Sequence, residues 1–90
     1  MIYVLIRLPA DGVESFQRYE SAVLPLLSDH QGHLDGRLRS ADEQTEVHLV
    51  SFPSPDHFER YRNDPRRTEQ SRLLNEAHAR IEVYELLDVI

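Results

Sequence analysis

The sequence predicts a single α+β domain with a ferredoxin-like β-α-β-β-α-β order, and three observations support that fold class. Four short segments have the apolar, β-branched or alternating pattern of strands. Two stretches with helical periodicity or helix-start signals separate the first strand from the second and the third from the fourth. The chain of 90 residues is 40% apolar, which fits one domain over residues 1–90. We expect the strands to form one four-stranded antiparallel sheet with the helices on one face.

The predicted strands cover residues 2–8, 34–39, 46–52 and 81–90. The second alternates apolar with polar residues, which is typical of a half-exposed edge strand. The third has apolar residues in both of its alternating sets. A short polar turn joins these two strands, so we predict that they form a hairpin.

The first predicted helix runs from residue 12 to residue 29. Asp11 and Glu14 have the spacing of a capping box at its start. The apolar residues that follow lie on one helical face, which is broken only by Glu20. Pro25 removes a backbone donor and is expected to kink the last turns of this helix.

The second helical region begins with two similar start signals. Ser54 is placed as an N-cap with Pro55 in the first helical position, and Asp64 repeats the arrangement ten residues later. We therefore predict two helices at an angle, the second over residues 65–77. Gly32 is placed to take a left-handed conformation after the first helix.

Alternation along the strands divides the sheet into two predicted faces. The first face is almost entirely aliphatic and suits the helices; it holds Ile2, Val4, Ile6, Leu8, Val47, Leu49, Ser51, Ile81, Val83, Leu87 and Val89. The second face mixes apolar and polar residues and holds Tyr3, Leu5, Arg7, His48, Val50, Phe52, Tyr84 and Leu86. Because such a face is too apolar to stay open to water, we expect a second copy of the chain to cover it and form a homodimer.

Composition excludes several classes of function. The chain has no cysteine and therefore no thiolate chemistry, and all ten of its basic residues are arginine, so no lysine is present to form a Schiff base. Its net charge of −6 argues against nucleic acid and anionic membranes as partners. The sequence shows no secretory signal or membrane span, so a cytoplasmic location is expected.

A set of residues spread over most of the chain forms a family-like pattern: Phe16, Tyr19, Glu20, Val23, Pro25, the turn at 30–32, Arg37, the junction at 51–54, Asp64 and Pro65. In these residues the chain resembles the small proteins classed as domain of unknown function 1330. The resemblance implies a dimeric α/β barrel, in which two ferredoxin-like subunits pack sheet against sheet. Relatives in that superfamily include cofactor-free monooxygenases, muconolactone isomerase, haem-handling enzymes and ligand-sensing domains.

All the candidate site residues except Arg37 lie on the second face, called here the mixed face. We predict His48 and Tyr84 as catalytic residues, because a histidine or tyrosine can move a proton without a cofactor. Tyr3, Arg7, Arg37 and Phe52 are the predicted substrate-binding residues, and the two arginines suit an anionic substrate. The alternative is that His48 is only an interface histidine and that the arginines pair with acidic residues at positions 35, 82 or 88.

Two further patterns favour ordinary structural roles. His30 and His33 straddle the glycine that ends the first helix and lack further ligands nearby, so no metal site is predicted. The arginines between residues 60 and 72 alternate with acidic residues, which is typical of a solvated helix face. The sequence thus favours cofactor-independent oxygenation or isomerisation of a small anionic or aromatic molecule bound between two sheets, and it leaves a non-catalytic ligand-binding or assembly role open.

Overall fold

The structure, a computed structural model, describes residues 1–89 and contains a four-stranded antiparallel sheet with its helices on one face. The strands are β1 (Ile2–Arg7), β2 (His33–Arg39), β3 (Thr45–Ser51) and β4 (Arg80–Glu85), in the spatial order β2-β3-β1-β4. The helices are α1 (Val13–Val23), α2 (Pro55–Arg62), α3 (Pro65–Thr68) and α4 (Ser71–Ala77). This arrangement confirms the ferredoxin-like α+β fold, with β2 at one edge of the sheet.

The first predicted helix is shorter than expected. α1 ends at Val23, and residues Leu24–His30 form a tighter 3-10 segment with Pro25 in its first turn. Proline has no N–H to continue the α-helical ladder, which explains the change of helix type. The left-handed residue after this segment is Gln31, with φ of 57°, rather than Gly32. The capping box predicted at the helix start is absent, since no side chain caps α1.

The two later caps form as predicted. The Ser54 side chain accepts a hydrogen bond from the His57 N–H, and the Asp64 side chain accepts one from the Arg66 N–H. The predicted helix over 65–77 is divided by a turn into α3 and α4. β4 ends five residues earlier than expected, and Ile90, the last residue of the predicted strand, lies outside the described residues.

Pairing between strands corrects the predicted faces of β3. Ile2 pairs with Val50, Val4 with His48 and Ile6 with Glu46, and directly paired residues point to the same side of a sheet. The residues Glu46, His48 and Val50 therefore face the helices together with Ile2, Val4 and Ile6. The assignment of His48 and Val50 to the mixed face was wrong. Both alternating sets of β3 contain apolar residues, so hydrophobicity alone does not decide its orientation.

The faces predicted for β1 and β4 are confirmed over their paired residues. Val4 pairs with Val83 and Ile6 with Ile81 on the side of the helices. On the other side Tyr3 pairs with Tyr84, and their ring centroids are 6.1 Å apart. The face away from the helices, called here the open face, contains Tyr3, Leu5, Leu38, Val47, Leu49 and Tyr84.

The core lies between the sheet and the helices. Its buried apolar residues are Ile2, Ile6, Leu8, Phe16, Tyr19, Val23, Leu26, Leu27, Val50, Tyr61, Leu73 and Ala77. Gly12 lets the start of α1 approach the end of α4, because a Cβ atom at this position would overlap the carbonyl oxygen of Ala77. A backbone oxygen cannot rotate away as a side chain can, so this contact restricts position 12 to glycine.

We expect Gly12→Ala to lower the free energy of unfolding by about 1–3 kcal/mol, the range for overpacked interiors. Urea denaturation followed by circular dichroism measures the change. Gly36→Ala is the matched control, because the new Cβ would lie 3.4 Å from a Leu49 methyl group, an ordinary contact. Equal stabilities of the two variants would contradict the close approach of α1 and α4.

Candidate functional site

A cluster of five charged or titratable side chains lies on the helix side of the sheet. Glu46 and His48 come from β3, Arg37 and Arg39 from β2, and Glu20 from α1. The i, i+2 spacing places each pair of strand residues on one face. Arg37 is paired with His48, and Arg39 with Glu46, across the β2–β3 ladder. These five residues are called here the His48 cluster.

The register shift between Leu34 and Gly36 is what turns the two arginines of β2 toward the helices. Leu34 pairs with Val50 and Gly36 with Leu49, so Asp35 is the extra residue of a β-bulge. An extra residue reverses the alternation that follows it. Arg37 and Arg39 therefore face the cluster, while Leu38 between them is on the open face.

His48 is the centre of the cluster. Its Nε2 lies 3.0 Å from Glu20 Oε2 and 2.5 Å from Glu46 Oε2. Both glutamates are only 2% exposed, and His48 is 6% exposed. Within residues 1–89 no hydrogen bond engages Nδ1. Because two carboxylates face Nε2, this nitrogen carries the proton in the neutral ring, which leaves the Nδ1 lone pair free to accept another.

The arginines supply the compensating charge. Arg39 Nε lies 2.7 Å from Glu46 Oε1, and Arg37 contacts Glu20 Oε1 at 3.1 Å through a terminal nitrogen. The Arg37 Nε also lies 3.4 Å from Glu46 Oε2. Two buried carboxylates side by side are tolerated only with such partners, since uncompensated buried charge is strongly unfavourable. Within the described chain, residues 1–89, Oε1 of Glu20 has no well-aligned hydrogen bond, so its contact with Arg37 is mainly electrostatic.

Burial and hydrogen bonding separate the pKa values of the two glutamates. Burial raises the pKa of Glu20 above its ordinary value. Burial also acts to raise the pKa of Glu46, but hydrogen bonds with Glu20, Arg39 and His48 outweigh it and lower that pKa to about 2. For His48, burial acts to lower the pKa, and the contacts with both glutamates overcome it and raise the pKa. Glu46 is therefore a fixed anion, and the mobile proton belongs to His48 and Glu20.

A cavity of about 590 Å³ opens beside the cluster, between the sheet and the helices. His48 and Glu20 contribute to its wall, and the lining is mostly apolar. Two residues of β4, Ile81 and Val83, face the helix side yet are 41% and 42% exposed, so the cavity reaches solvent along this strand. A pocket with an apolar body and a few polar groups is the usual form of a small-molecule site.

The six predicted site residues do not come together. His48 and Phe52 line the cavity on the helix side, where Phe52 packs against Phe58 with ring centroids 5.4 Å apart. Tyr84 is exposed on the open face and donates a hydrogen bond to Glu82, with Tyr3 beside it. The prediction that His48 and Tyr84 share one surface is therefore wrong, because the register of β3 turns His48 toward the helices.

The two predicted arginines also separate. Arg7 is exposed at the end of β1. Arg37 is bound to Glu20 and Glu46 rather than to the acidic residues proposed for it from the sequence. Its guanidinium is therefore already matched by carboxylates.

The structure adds residues that the sequence pattern did not single out. Glu46 and Arg39 complete the cluster. Glu20 was visible in the sequence as the residue that interrupts the apolar face of the first predicted helix.

The two histidines near the end of the first helical region lie apart. His30 is half-buried and contacts Asp64 Oδ2 at 2.8 Å, while His33 is exposed.

The arginine run between residues 60 and 72 is not uniformly a solvated helix face. Four of its members are exposed, but Arg67 is half-buried and lines the cavity. The spacing of charges along the chain predicts a surface run, but Arg67 packs on the ring of Tyr61 and donates a hydrogen bond to the Tyr19 hydroxyl.

The three central residues of the cluster also have the spacing of metal ligands. Glu20, Glu46 and His48 offer atoms within 4.8 Å of one another. Arg37 and Arg39 already neutralise both carboxylates, so a divalent cation would have to compete with two guanidinium groups. The arrangement suits proton transfer better than metal binding.

Comparison with solved structures shows that the fold is shared with proteins of known structure. SnoaB is described as a cofactor-independent oxygenase from Streptomyces nogalater; its alignment has a TM-score of 0.71 and 12% identity and covers 99% of this chain and 93% of the SnoaB chain. The alignment with a putative antibiotic biosynthesis monooxygenase from Nitrosomonas europaea has a TM-score of 0.71 and 11% identity and covers 97% of this chain and 98% of the other. A NIPSNAP family protein of unknown function from Agrobacterium tumefaciens has a TM-score of 0.62 and 20% identity, covering 93% and 86%.

These identities are too low to show more than a common fold. No protein-family model and no curated protein sequence matches the chain. The resemblance to domain of unknown function 1330 therefore stays a prediction. None of the helices within residues 1–89 is long and apolar enough to cross a membrane.

We expect Glu46→Gln to destabilise the fold by about 3–5 kcal/mol at neutral pH, because it removes one partner of a buried ionic cluster. The pKa of Glu46 is lower in the folded chain than its ordinary value of 4.5, so its contribution is present above pH 4.5 and disappears as the pH falls toward 2. The variant should lose less stability than the wild type over that interval. Denaturation at several pH values tests this, with the exposed Glu76→Gln as control; identical acid profiles of wild type and Glu46→Gln would contradict it.

Proposed function

We propose that the protein binds a small, largely apolar organic molecule in the cavity between its sheet and its helices, and that His48 transfers a proton there without a cofactor. The observation that carries this proposal is the position of His48. The ring is buried in the wall of a mostly apolar cavity, its Nε2 is fixed by two carboxylates, and its Nδ1 has no hydrogen-bond partner among residues 1–89.

The geometry supports a division of roles. Nδ1 accepts a proton from an acidic C–H group of the ligand, and the resulting imidazolium is stabilised by Glu20 and Glu46 through Nε2. Arg39 holds Glu46 as an anion, so that the negative charge is in place before the proton moves. The mostly apolar lining of the cavity limits the contact of water with the carbanion or enolate that forms.

Two reactions follow from such an intermediate. Return of the proton to another carbon completes an isomerisation. Reaction with dioxygen converts a CH₂ group to a carbonyl, and the second oxygen atom leaves as water with the two hydrogens of that CH₂ group. Oxygenation is the preferred reaction because two proteins with the same fold are described as a cofactor-independent oxygenase and a putative monooxygenase. The chain-specific support is His48 and its two glutamates.

The alternative is a non-catalytic ligand-binding module. It is favoured by the charge balance of the cluster, in which two arginines offset two glutamates and hold the sheet to α1. In that case His48 would be a structural partner of Glu20 and Glu46. The same cavity would bind a ligand, but the ligand would leave unchanged.

We also propose that the open face is the interface of a homodimer. Leu38 and Tyr84 are 68% and 48% exposed on this face, and Leu5, Val47 and Leu49 lie between them. A face with this many apolar side chains fits a self-complementary, two-fold contact. Since the cavity opens on the other side of the sheet, each subunit would keep its own site.

We expect His48→Gln to abolish catalysis while leaving ligand binding nearly intact, since glutamine keeps a hydrogen-bonding group but cannot take up the proton. A suitable probe is dithranol, a three-ring anthrone with an acidic CH₂ group, with oxygen consumption measured above the spontaneous rate. The loss should be about 10²-fold or more, and the wild-type rate should rise with pH through the raised pKa of His48, because the neutral ring is the base.

The control variant is His33→Gln, which changes an exposed histidine on β2. It should keep the wild-type rate. Binding of the probe with no acceleration by the wild type would overturn the catalytic proposal in favour of the binding module.

For the dimer, we expect the wild type to sediment with twice the 10.5 kDa mass of the chain at micromolar concentration. Leu49→Asp places a charge in the centre of the open face and should shift the protein to monomer. Ala22→Asp, on the exposed surface of α1, is the matched control and should leave the dimer unchanged. A monomeric wild type would refute the interface.

A further inference from the structure

Arg67 on α3 is held in the wall of the cavity by three neighbours. Its Cζ lies 4.4 Å from the centroid of the Tyr61 ring, a cation–π distance. One terminal nitrogen donates to the hydroxyl of Tyr19 at 3.0 Å, and the other donates to the backbone carbonyl of Arg62 at 3.2 Å. The Nε–H is buried and has no partner in residues 1–89. Only two of the five N–H groups of this guanidinium are therefore used by the described part of the chain.

Arg67 also differs in its charge environment from Arg62, which contacts Glu59 at 3.4 Å, and from Arg66. Arg66 contacts Asp64 at 2.8 Å and Asp29 at 3.0 Å, and the two arginines of β2 are bound to the glutamates of the His48 cluster. Over residues 1–89, no carboxylate forms an ion pair with Arg67. A half-buried cation without a counter-charge is unfavourable by itself, and an anion supplied by a ligand would remove that cost.

The rest of the cavity lining is mostly apolar, and its other polar members are Glu20, Glu59, Arg62, Asn63, Thr68 and Ser71. The lining includes Val4, Phe16, Val23, Val50, Phe58 and Val83, with Arg67 and Tyr19 on the helical side and His48 on the sheet side. We propose that Arg67, together with the Tyr19 hydroxyl, is an anion subsite, so that the ligand is an apolar, ring-sized molecule with one acidic group. This inference rests on the proposed cavity and names the class of ligand that it binds.

A pair of fluorescent probes tests the subsite directly. 1-Anilinonaphthalene-8-sulfonate and N-phenyl-1-naphthylamine share the same ring system, but only the first carries an anion. The wild type should bind the sulfonate at least tenfold more tightly, because a charge-assisted contact with a guanidinium adds to the same apolar burial. Increasing salt should weaken binding of the sulfonate and leave binding of the neutral probe nearly unchanged.

Substitution of Arg67 distinguishes this subsite from non-specific binding of the probes to the protein surface. Arg67→Gln should lower sulfonate affinity about tenfold or more while keeping the affinity for the neutral probe, which also reports that the cavity is intact. The sulfonate affinity of Arg67→Lys should lie between those of the wild type and Arg67→Gln, since lysine keeps the charge and loses the planar fork. Arg72→Gln removes an exposed arginine of α4 and should behave as the wild type.

The outcomes distinguish the subsite from the proposed function. Equal affinities of the wild type for both probes, or unchanged sulfonate binding by a folded Arg67→Gln, would overturn the anion subsite alone. Failure of both probes to bind the wild type would remove the cavity as a ligand site and with it both proposals. Loss of turnover with the probe preference intact would leave an acid-binding module, with the subsite confirmed.

Discussion

The contact of His48 with Glu20 and Glu46 is the constraint on which the other features of the site depend. Two glutamates buried side by side would oppose folding if they lacked cationic partners. Their partners come from β2 and β3, and Glu20 comes from α1, so the cluster exists only when all three elements are in register. The same contacts fix the histidine ring by Nε2, and among residues 1–89 they leave Nδ1 without a hydrogen-bond partner. Stability and chemistry therefore use one set of atoms.

A single extra residue in β2 makes this cluster compatible with the sheet. Without the bulge, the alternation of β2 would place Arg37 and Arg39 on the open face. With the bulge, both arginines reach the glutamates, and Leu38 lies on the open face instead. One insertion thus supplies charge compensation to the helix side and apolar surface to the open side. The edge position of β2 allows this, because only one neighbouring strand must adapt to the irregularity.

Much of the fold was predictable from sequence, and most of the site was not. The order of strands and helices along the chain, the caps at Ser54 and Asp64, and the effect of Pro25 follow from local rules that act over a few residues. The orientation of β3 does not, because both alternating sets contain apolar residues and the choice depends on Glu20 in a distant helix. Arg67 was likewise hidden in a run of charges, because the alternation of charge along the chain does not show which arginine packs against Tyr19 and Tyr61. His48 and Arg37 were singled out from the sequence, and the polar interruption at Glu20 was the one visible sign that their cluster lies on the helix side.

The incomplete cover of β4 has a consequence for how molecules would exchange with the cavity. The helices leave Ile81 and Val83 partly uncovered, and these residues form part of the cavity wall. The route to solvent therefore runs along the edge of the sheet and does not cross the open face. Ligand entry and release would then require neither separation of subunits nor unfolding of a helix. The exchange rate would be independent of protein concentration and would be governed by the side chains at that edge, which form the entrance to the cavity.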